Sequence, residues 1–140
     1  MAQKMTVEPV EASSLVLRKA TLADRDEVMR ISKNVYLCYD YLPHCYDLYC
    51  KLEDDHDKGV NLVMVDPKTP EKVLGYQSYL FQGTGRRQAI ARALRVDDSL
   101  RGRGLGKAMM ALCADHLATL ADGDKVSSKA LTALFCPRFR

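Results

Sequence analysis

The 140-residue chain has no apolar run approaching the roughly 18 residues that a membrane-spanning helix needs. Its first nine residues, Met1 to Pro9, lack the apolar stretch of a secretory signal. No Cys-x-x-Cys pair occurs and the five cysteines are odd in number, which argues against a disulfide framework. Charge of one sign is not in excess either. Twenty-one Lys and Arg against 18 Asp and Glu leave +3, too little to imply a nucleic-acid partner. No internal repeat is visible. What is present is ordinary: 47% hydrophobic and 28% charged residues, far from the composition of a disordered chain. A chain of this length can bury roughly two-thirds of its unfolded surface, enough for one core without staples. The expectation is a single-domain, soluble, cytoplasmic protein with no membrane partner.

The cysteines are Cys38, Cys45, Cys50, Cys113 and Cys136, and two histidines fall among them. His44, Cys45, Cys50 and His56 invite a zinc reading, but His44 and Cys45 are adjacent and no second ligand pair completes a tetrahedral set. Reduced thiols and no metal are expected.

Residues 1–13 are polar, contain Pro9 and show no periodicity, so they read as a flexible leader. Leu15–Lys19 reads as a short strand. Thr21 follows as a helix N-cap with Asp24 in capping-box position, and Asp24, Asp26 and Glu27 suit the positive end of a helix dipole. Val28, Ile31 and Val35 continue at helical spacing, which predicts a helix over 22–37. The run from Tyr36 to Tyr46 holds four of the seven tyrosines. Pro43 places a break near Tyr41–Leu42, with a second helix to about Leu52. Glu53, Asp54, Asp55, Asp57 and Gly59 then read as a solvated loop.

After Gly59 the period changes. Val60–Val65, Val73–Phe81 and Gln88–Val96 read as three strands of an antiparallel meander, separated by turns at Asp66–Glu71 and Gln82–Arg86. Leu105, Ala108, Met109, Leu112, Cys113, His116 and Leu120 then repeat at helical spacing. This order predicts an α+β, mixed α/β fold, in which a sheet is flanked by helices.

The specific signal lies between Leu94 and Lys107. A strand ends at Val96, a polar turn follows, and Gly102, Gly104 and Gly106 open a helix amid Arg101, Arg103 and Lys107. Glycines let the backbone curl with its N–H groups inward, and a helix N-terminus adds unpaired donors. The result is an anion cradle of a size that suits a phosphate or pyrophosphate. A dinucleotide fingerprint fails because Lys107 stands in the place of the third glycine. A P-loop fails twice, with Arg101 in place of its first glycine and Ala108 in place of Ser or Thr. A solvated Gly/Arg turn is the plain alternative, and the flanking strand and helix weigh against it.

The run Leu94-Arg-Val-Asp-Asp-Ser-Leu-Arg-Gly-Arg-Gly-Leu-Gly-Lys resembles the signature strand, loop and helix of the GNAT superfamily of acetyl-CoA-dependent N-acetyltransferases. Upstream, Arg18-Lys-Ala-Thr and Asp24-Arg-Asp-Glu are similar to that superfamily's first strand and helix entry, so the likeness spans about Leu15 to Leu120. Tyr39-Asp-Tyr-Leu-Pro resembles the histidine N-acetyltransferase-like subgroup. The resemblance implies a mostly antiparallel sheet flanked by helices, with acetyl-CoA as co-substrate and an amine as acceptor. It implies that backbone N–H groups of Arg101, Gly102, Arg103, Gly104, Leu105, Gly106 and Lys107 hold the pyrophosphate. Leu94 and Val96 would contact the pantetheine arm and the acetyl carbonyl through their backbone.

Two departures from the pattern stand out. Many relatives place a carboxylate on the strand before the cradle, whereas Ala89–Arg95 offers Arg92 and Arg95 and no acid. A base would have to come from a tyrosine, a histidine or Glu53–Asp57. The second departure is length: relatives continue with a strand, a helix and a hairpin after the cradle helix, and only Asp122–Arg140 remains here. The expectation is therefore a truncated domain over 14–121 with an irregular tail over 122–140, in which Lys129–Phe135 could form one strand. An N-acetyltransferase is the leading reading, and a catalytically inactive CoA-binding or regulatory fragment is the alternative. The tyrosines between Tyr36 and Tyr49 read as packing residues more readily than as a cleft lining, and His44, His56 and His116 as structural or solvated.

Overall fold

The computed structural model describes residues 14–35, 39–53, 58–82, 88–100 and 102–124. The leader over 1–13, the turn over 83–87, Arg101 and the tail beyond 124 lie outside the described residues, and so do Cys38, His56 and Cys136. Four strands form one wholly antiparallel sheet in the order β1 (Val16–Lys19), β2 (Gly59–Val65), β3 (Val73–Gln82) and β4 (Gln88–Val96). Helices α1 (Arg25–Ser32) and α2 (Leu42–Glu53) precede β2, and α3 (Leu105–Asp124) follows β4. The expected α+β fold with an antiparallel meander is the fold observed.

The sheet separates two apolar clusters. Leu62, Met64, Leu74 and Tyr79 meet Leu105, Met109, Cys113 and Leu117 of α3 on one face. Val63, Val65, Val73 and Tyr76 meet Val28 and Ile31 of α1 and Leu42 and Tyr46 of α2 on the other. Alternation along each strand sends neighbouring side chains to opposite faces, so strands covered on both sides read as continuous apolar runs. β2 is buried along its whole length. Gly75 allows α3 to lie close to β3, since a Cβ there would meet Met109 Sδ and Met64 Cε at 3.2 Å.

The first helix is shorter than its periodicity predicts. Thr21 and Asp24 form the expected capping arrangement, with the Thr21 N–H donating to Asp24 Oδ2 at 2.8 Å. A single 3₁₀ turn, Leu22–Asp24, opens it, and α1 stops at Ser32 rather than 37. The Ser32 hydroxyl donates to the Val28 carbonyl at 2.7 Å, a back-bond onto the preceding turn at the last helical residue. α2 begins at Leu42, where the break was expected, and Pro43 sits in its first turn, where a missing N–H costs nothing. α3 runs to Asp124, four residues past Leu120, so 122–124 continue the helix rather than belong to an irregular tail. A glycine near a helix end is tolerated at about 1 kcal/mol, which is why Gly123 does not stop it.

Candidate active site

The cradle region is built from the end of β4 onward. The chain leaves Val96 through Asp97 into a 3₁₀ turn, Asp98–Leu100. Asp97 is buried and organises this turn: its Oδ1 accepts from the Ser99 N–H at 3.0 Å and the Ser99 hydroxyl at 2.7 Å. Its Oδ2 accepts from Arg30 at 3.0 Å, which ties the turn to α1. Burial alone would raise the Asp97 pKa, but the bonds from Ser99 and Arg30 outweigh it and hold the carboxyl below its ordinary value.

Gly102 and Gly104 then adopt φ of +79° and +72°, conformations costly for any residue with a Cβ. Gly104 is the N-cap of α3, because the first intrahelical bond runs from the Ala108 N–H to its carbonyl at 3.0 Å. The N–H groups of Leu105, Gly106 and Lys107 therefore point out of the helix end without intrahelical acceptors. Gly102, Arg103, Gly104 and Lys107 are exposed, and Leu105 is buried and anchors the helix start in the core. A Cβ built on Gly102, Gly104 or Gly106 would meet nothing within 4 Å, so the rim of the helix end is open. The unpaired N–H donors of this helix end thus stand beside open space.

β4 is irregular at the position the sequence singled out. Its pairing with β3 slips between Tyr76 and Ser78, and Ala93 has φ of +57°. Opposite Gln77, β4 carries the two residues Ala93 and Leu94, which makes a bulge. The Gln77 side-chain amide fixes it by donating to the Arg92 carbonyl at 2.8 Å. The extra residue switches the alternation. Ala91, Leu94 and Val96 pack toward α3, while Ala93 packs toward α1 and α2.

The same switch brings Arg92 and Arg95, three residues apart, onto the face covered by α2. The Arg92 guanidinium carbon lies 3.7 Å from the centre of the Tyr49 ring, and its Nε donates to the Ser78 hydroxyl at 2.9 Å. Arg95 is buried, and its Nη2 donates to Asp40 Oδ1 at 2.6 Å. Asp40 Oδ1 also accepts the Leu42 N–H at 3.0 Å and so starts α2. Beneath Tyr49, the Tyr76 hydroxyl donates to Asn61 Oδ1 at 3.0 Å, and Asn61 donates in turn to the Tyr49 carbonyl.

Sequence reasoning assigned no role to Asp40, Ser78 or Gln77, and weighed Tyr49 only within the tyrosine group as packing or cleft lining. Only Asp40 left a local signal, two residues before the first helical residue in a helix-capping position. Of the groups considered as bases, His56 lies outside the described residues. Burial lowers the pKa of His116 on α3, and burial raises Tyr46, Tyr49 and Tyr76 above the ordinary tyrosine value. Cys113 is likewise pushed up to about 11 by burial, so that thiol is not a nucleophile at neutral pH. Among the described residues no group of three His, Cys, Asp or Glu converges on a point. No described helix is long and apolar enough to cross a membrane.

A sequence model of the acetyltransferase (GNAT) family matches residues 25–130, well over half of the chain. The chain belongs to the GNAT acetyltransferase family, and is accordingly an acyltransferase with acetyl-CoA as co-substrate. Solved structures share the fold at low identity. A GNAT family acetyltransferase from Staphylococcus aureus superposes with a TM-score of 0.59 at 14% identity, over 76% of this chain and 80% of that one. Glucosamine-6-phosphate N-acetyltransferase from Arabidopsis thaliana gives 0.56 at 17% identity, covering 76% of each chain. A Brucella melitensis GNAT family acetyltransferase in complex with acetyl-CoA gives 0.53 at 18% identity, over 78% of this chain and 70% of that one. Curated protein sequences give no match.

Proposed function

We propose that this chain transfers the acetyl group of acetyl-CoA to the amine of a small molecule or amino acid. Histidine is the acceptor suggested by the likeness of Tyr39-Asp-Tyr-Leu-Pro to one subgroup. In this reading the backbone donors from Arg101 to Lys107 hold the pyrophosphate, with the side chains of Arg103 and Lys107 adding charge at the rim. Leu94 and Val96, on the strand that leads into the cradle, contact the pantetheine arm and polarise the acetyl carbonyl through backbone N–H groups. A fixed donor at that oxygen acts where negative charge grows as the amine attacks, and needs no reorganisation during the step. The neutral amine forms the new N–C bond, the C–S bond breaks, and the nitrogen loses its proton as the thiolate departs. Positioning of the two substrates supplies much of the rate.

The observation that carries the reading is the pair of left-handed glycines, Gly102 and Gly104, directly before the open N-terminus of α3. Calorimetric titration of acetyl-CoA into the chain tests it together with Gly104→Glu, which sets a carboxylate and bulk in the cradle. Saturable binding by the parent chain and at least tenfold weaker binding by the variant are expected. Equal affinities would remove the cradle from the cofactor site. Binding without turnover on any amine would favour the inactive CoA-binding fragment.

A further inference from the structure

Arg92 is half-buried on the α2 face of β4, and two contacts fix its guanidinium: the Tyr49 ring against its plane and Ser78 at its Nε. Neither contact is a carboxylate, and among the described residues no Asp or Glu pairs with it. The neighbouring charges do not compensate it. Arg95 is matched by Asp40, whose side chain is 8% exposed and therefore sealed from any ligand. Among the described residues of this face, Arg18, Arg30 and Arg95 each have a carboxylate partner, and Arg92, the half-buried one stacked on Tyr49, has none.

A guanidinium loses hydration when it is stacked on an aromatic ring, and cation–π attraction returns only part of that loss. The Ser78 bond takes the Nε donor, and among the described residues the terminal nitrogens, which carry most of the fork, have no acceptor. This arrangement is preorganised for a planar, singly charged anion taken through the two ends of the fork. A carboxylate matches the single charge of this guanidinium. Arg92 also lies two residues before Leu94 on β4, across the bulge at Ala93. One small molecule can therefore engage the arginine and present an amine near the proposed acetyl site.

We infer that Arg92 selects the acetyl acceptor by its carboxylate, so that the acceptor is an amino acid rather than a carboxylate-free amine. The inference rests on the transferase reading of this chain and narrows its acceptor class. It also gives Tyr49 and Ser78 positioning roles, since they hold the fork in place without touching the acceptor's amine.

The test compares matched pairs, a set of α-amino acids and their methyl esters, as acceptors for the unmodified chain. The readouts are kcat/KM from release of the CoA thiol and, independently of turnover, acceptor binding by ligand-observed NMR. The ester amine is less basic and more often neutral, a bias against the expected result. The free acids are expected to be preferred at least tenfold, with that ratio collapsing toward one in Arg92→Gln and only in part in Arg92→Lys. A merely structural arginine would lower both members of each pair and leave the ratio where it was, which would overturn the inference. Absence of preference in the unmodified chain would overturn it without any variant. Efficient transfer that ignores the carboxylate removes this inference and keeps the transferase. Arg92-dependent binding of amino acids in a chain that neither binds acetyl-CoA nor releases thiol does the reverse. Binding of neither ligand removes both.

Discussion

The face of the sheet under α3 and the face under α1 and α2 each bury a row of aliphatic side chains, but only the second also buries charge. The α3 cluster contains Leu, Val, Met, Ala, Tyr and Cys and no ionised group. On the other side Asp24, Arg95 and Asp97 are all buried, paired with Arg18, Asp40 and Arg30. An apolar interface of the first kind is sufficient to hold a helix on a sheet. Burying ion pairs adds little net stability, because desolvation of both ions offsets most of their attraction. The comparison separates a side that supplies stability from a side that carries specific geometry. Arg30–Asp97 holds the turn into the cradle, and Asp40–Arg95 holds the start of α2 against β4 beside Arg92.

Breaking one buried pair is the strongest test of that contrast. Asp40→Ala removes the carboxylate that Arg95 donates to and the Leu42 cap, so a loss of about 3–5 kcal/mol is expected in urea unfolding. The double variant Asp40→Leu with Arg95→Met should regain most of this loss, because an apolar pair has no charge to desolvate. If the double variant is as unstable as the single one, the pair contributes more than balanced charge. On the α3 face, Met109→Ala should cost about 2–5 kcal/mol through cavity formation, with acetyl-CoA affinity of the folded fraction unchanged. A loss of affinity there as large as that of a cradle variant would erase the division between the two faces.

Acid sharpens the same contrast with a smaller effect. Burial raises the pKa of Asp24, yet the bonds from Arg18 and Thr21 outweigh it and leave the group below its ordinary value. For Glu27 the bond from Arg30 dominates, also downward, and Asp97 shifts the same way. A folded-state pKa below the unfolded one means stability present above the unfolded value and lost as pH falls through the folded one. Urea midpoints should therefore decline below the unfolded carboxylate value near 4, beyond the decline that the lowered pKa of His116 starts below its unfolded value of about 6.5. In Asp97→Asn that decline should be shallower, and an identical pH profile would deny Asp97 its part. The smallest effect is expected for Ala93→Gly. Relief of the left-handed backbone, worth about 1 kcal/mol, is nearly offset by loss of a buried methyl, so stability should shift by no more than about 0.5 kcal/mol. A large loss would mean that the Ala93 side chain, rather than its backbone, maintains the bulge.

Much of the frame was legible from local pattern. The meander, the start of α2 at Leu42 and the Thr21–Asp24 cap follow from alternation, a proline and a capping pair, and each depends on residues within a few positions of one another. The start of α3 was legible for the same reason, as glycines 102, 104 and 106 stand at the opening of a helical period. The stop of α1 at Ser32 was not, since the helical spacing of Val28, Ile31 and Val35 runs on past it. Arg92 and Arg95 were visible as residues but misleading as a pair. Three apart on a regular strand, they belong on opposite faces.

The sequence by itself determined the order of elements, the turn chemistry and the glycine-flanked start of α3, because these follow from steric and hydrogen-bonding preferences within a turn or two of chain. Only the tertiary structure decided that Ala93 is an extra residue opposite Gln77, and hence that both arginines share one face. It alone decided that Asp40 meets Arg95 across 55 residues and that Asp97 meets Arg30 across 67. The physical reason is that a bulge belongs to two strands at once. Its register is set by the neighbouring ladder and by what packs on either face, and none of those partners is near in sequence.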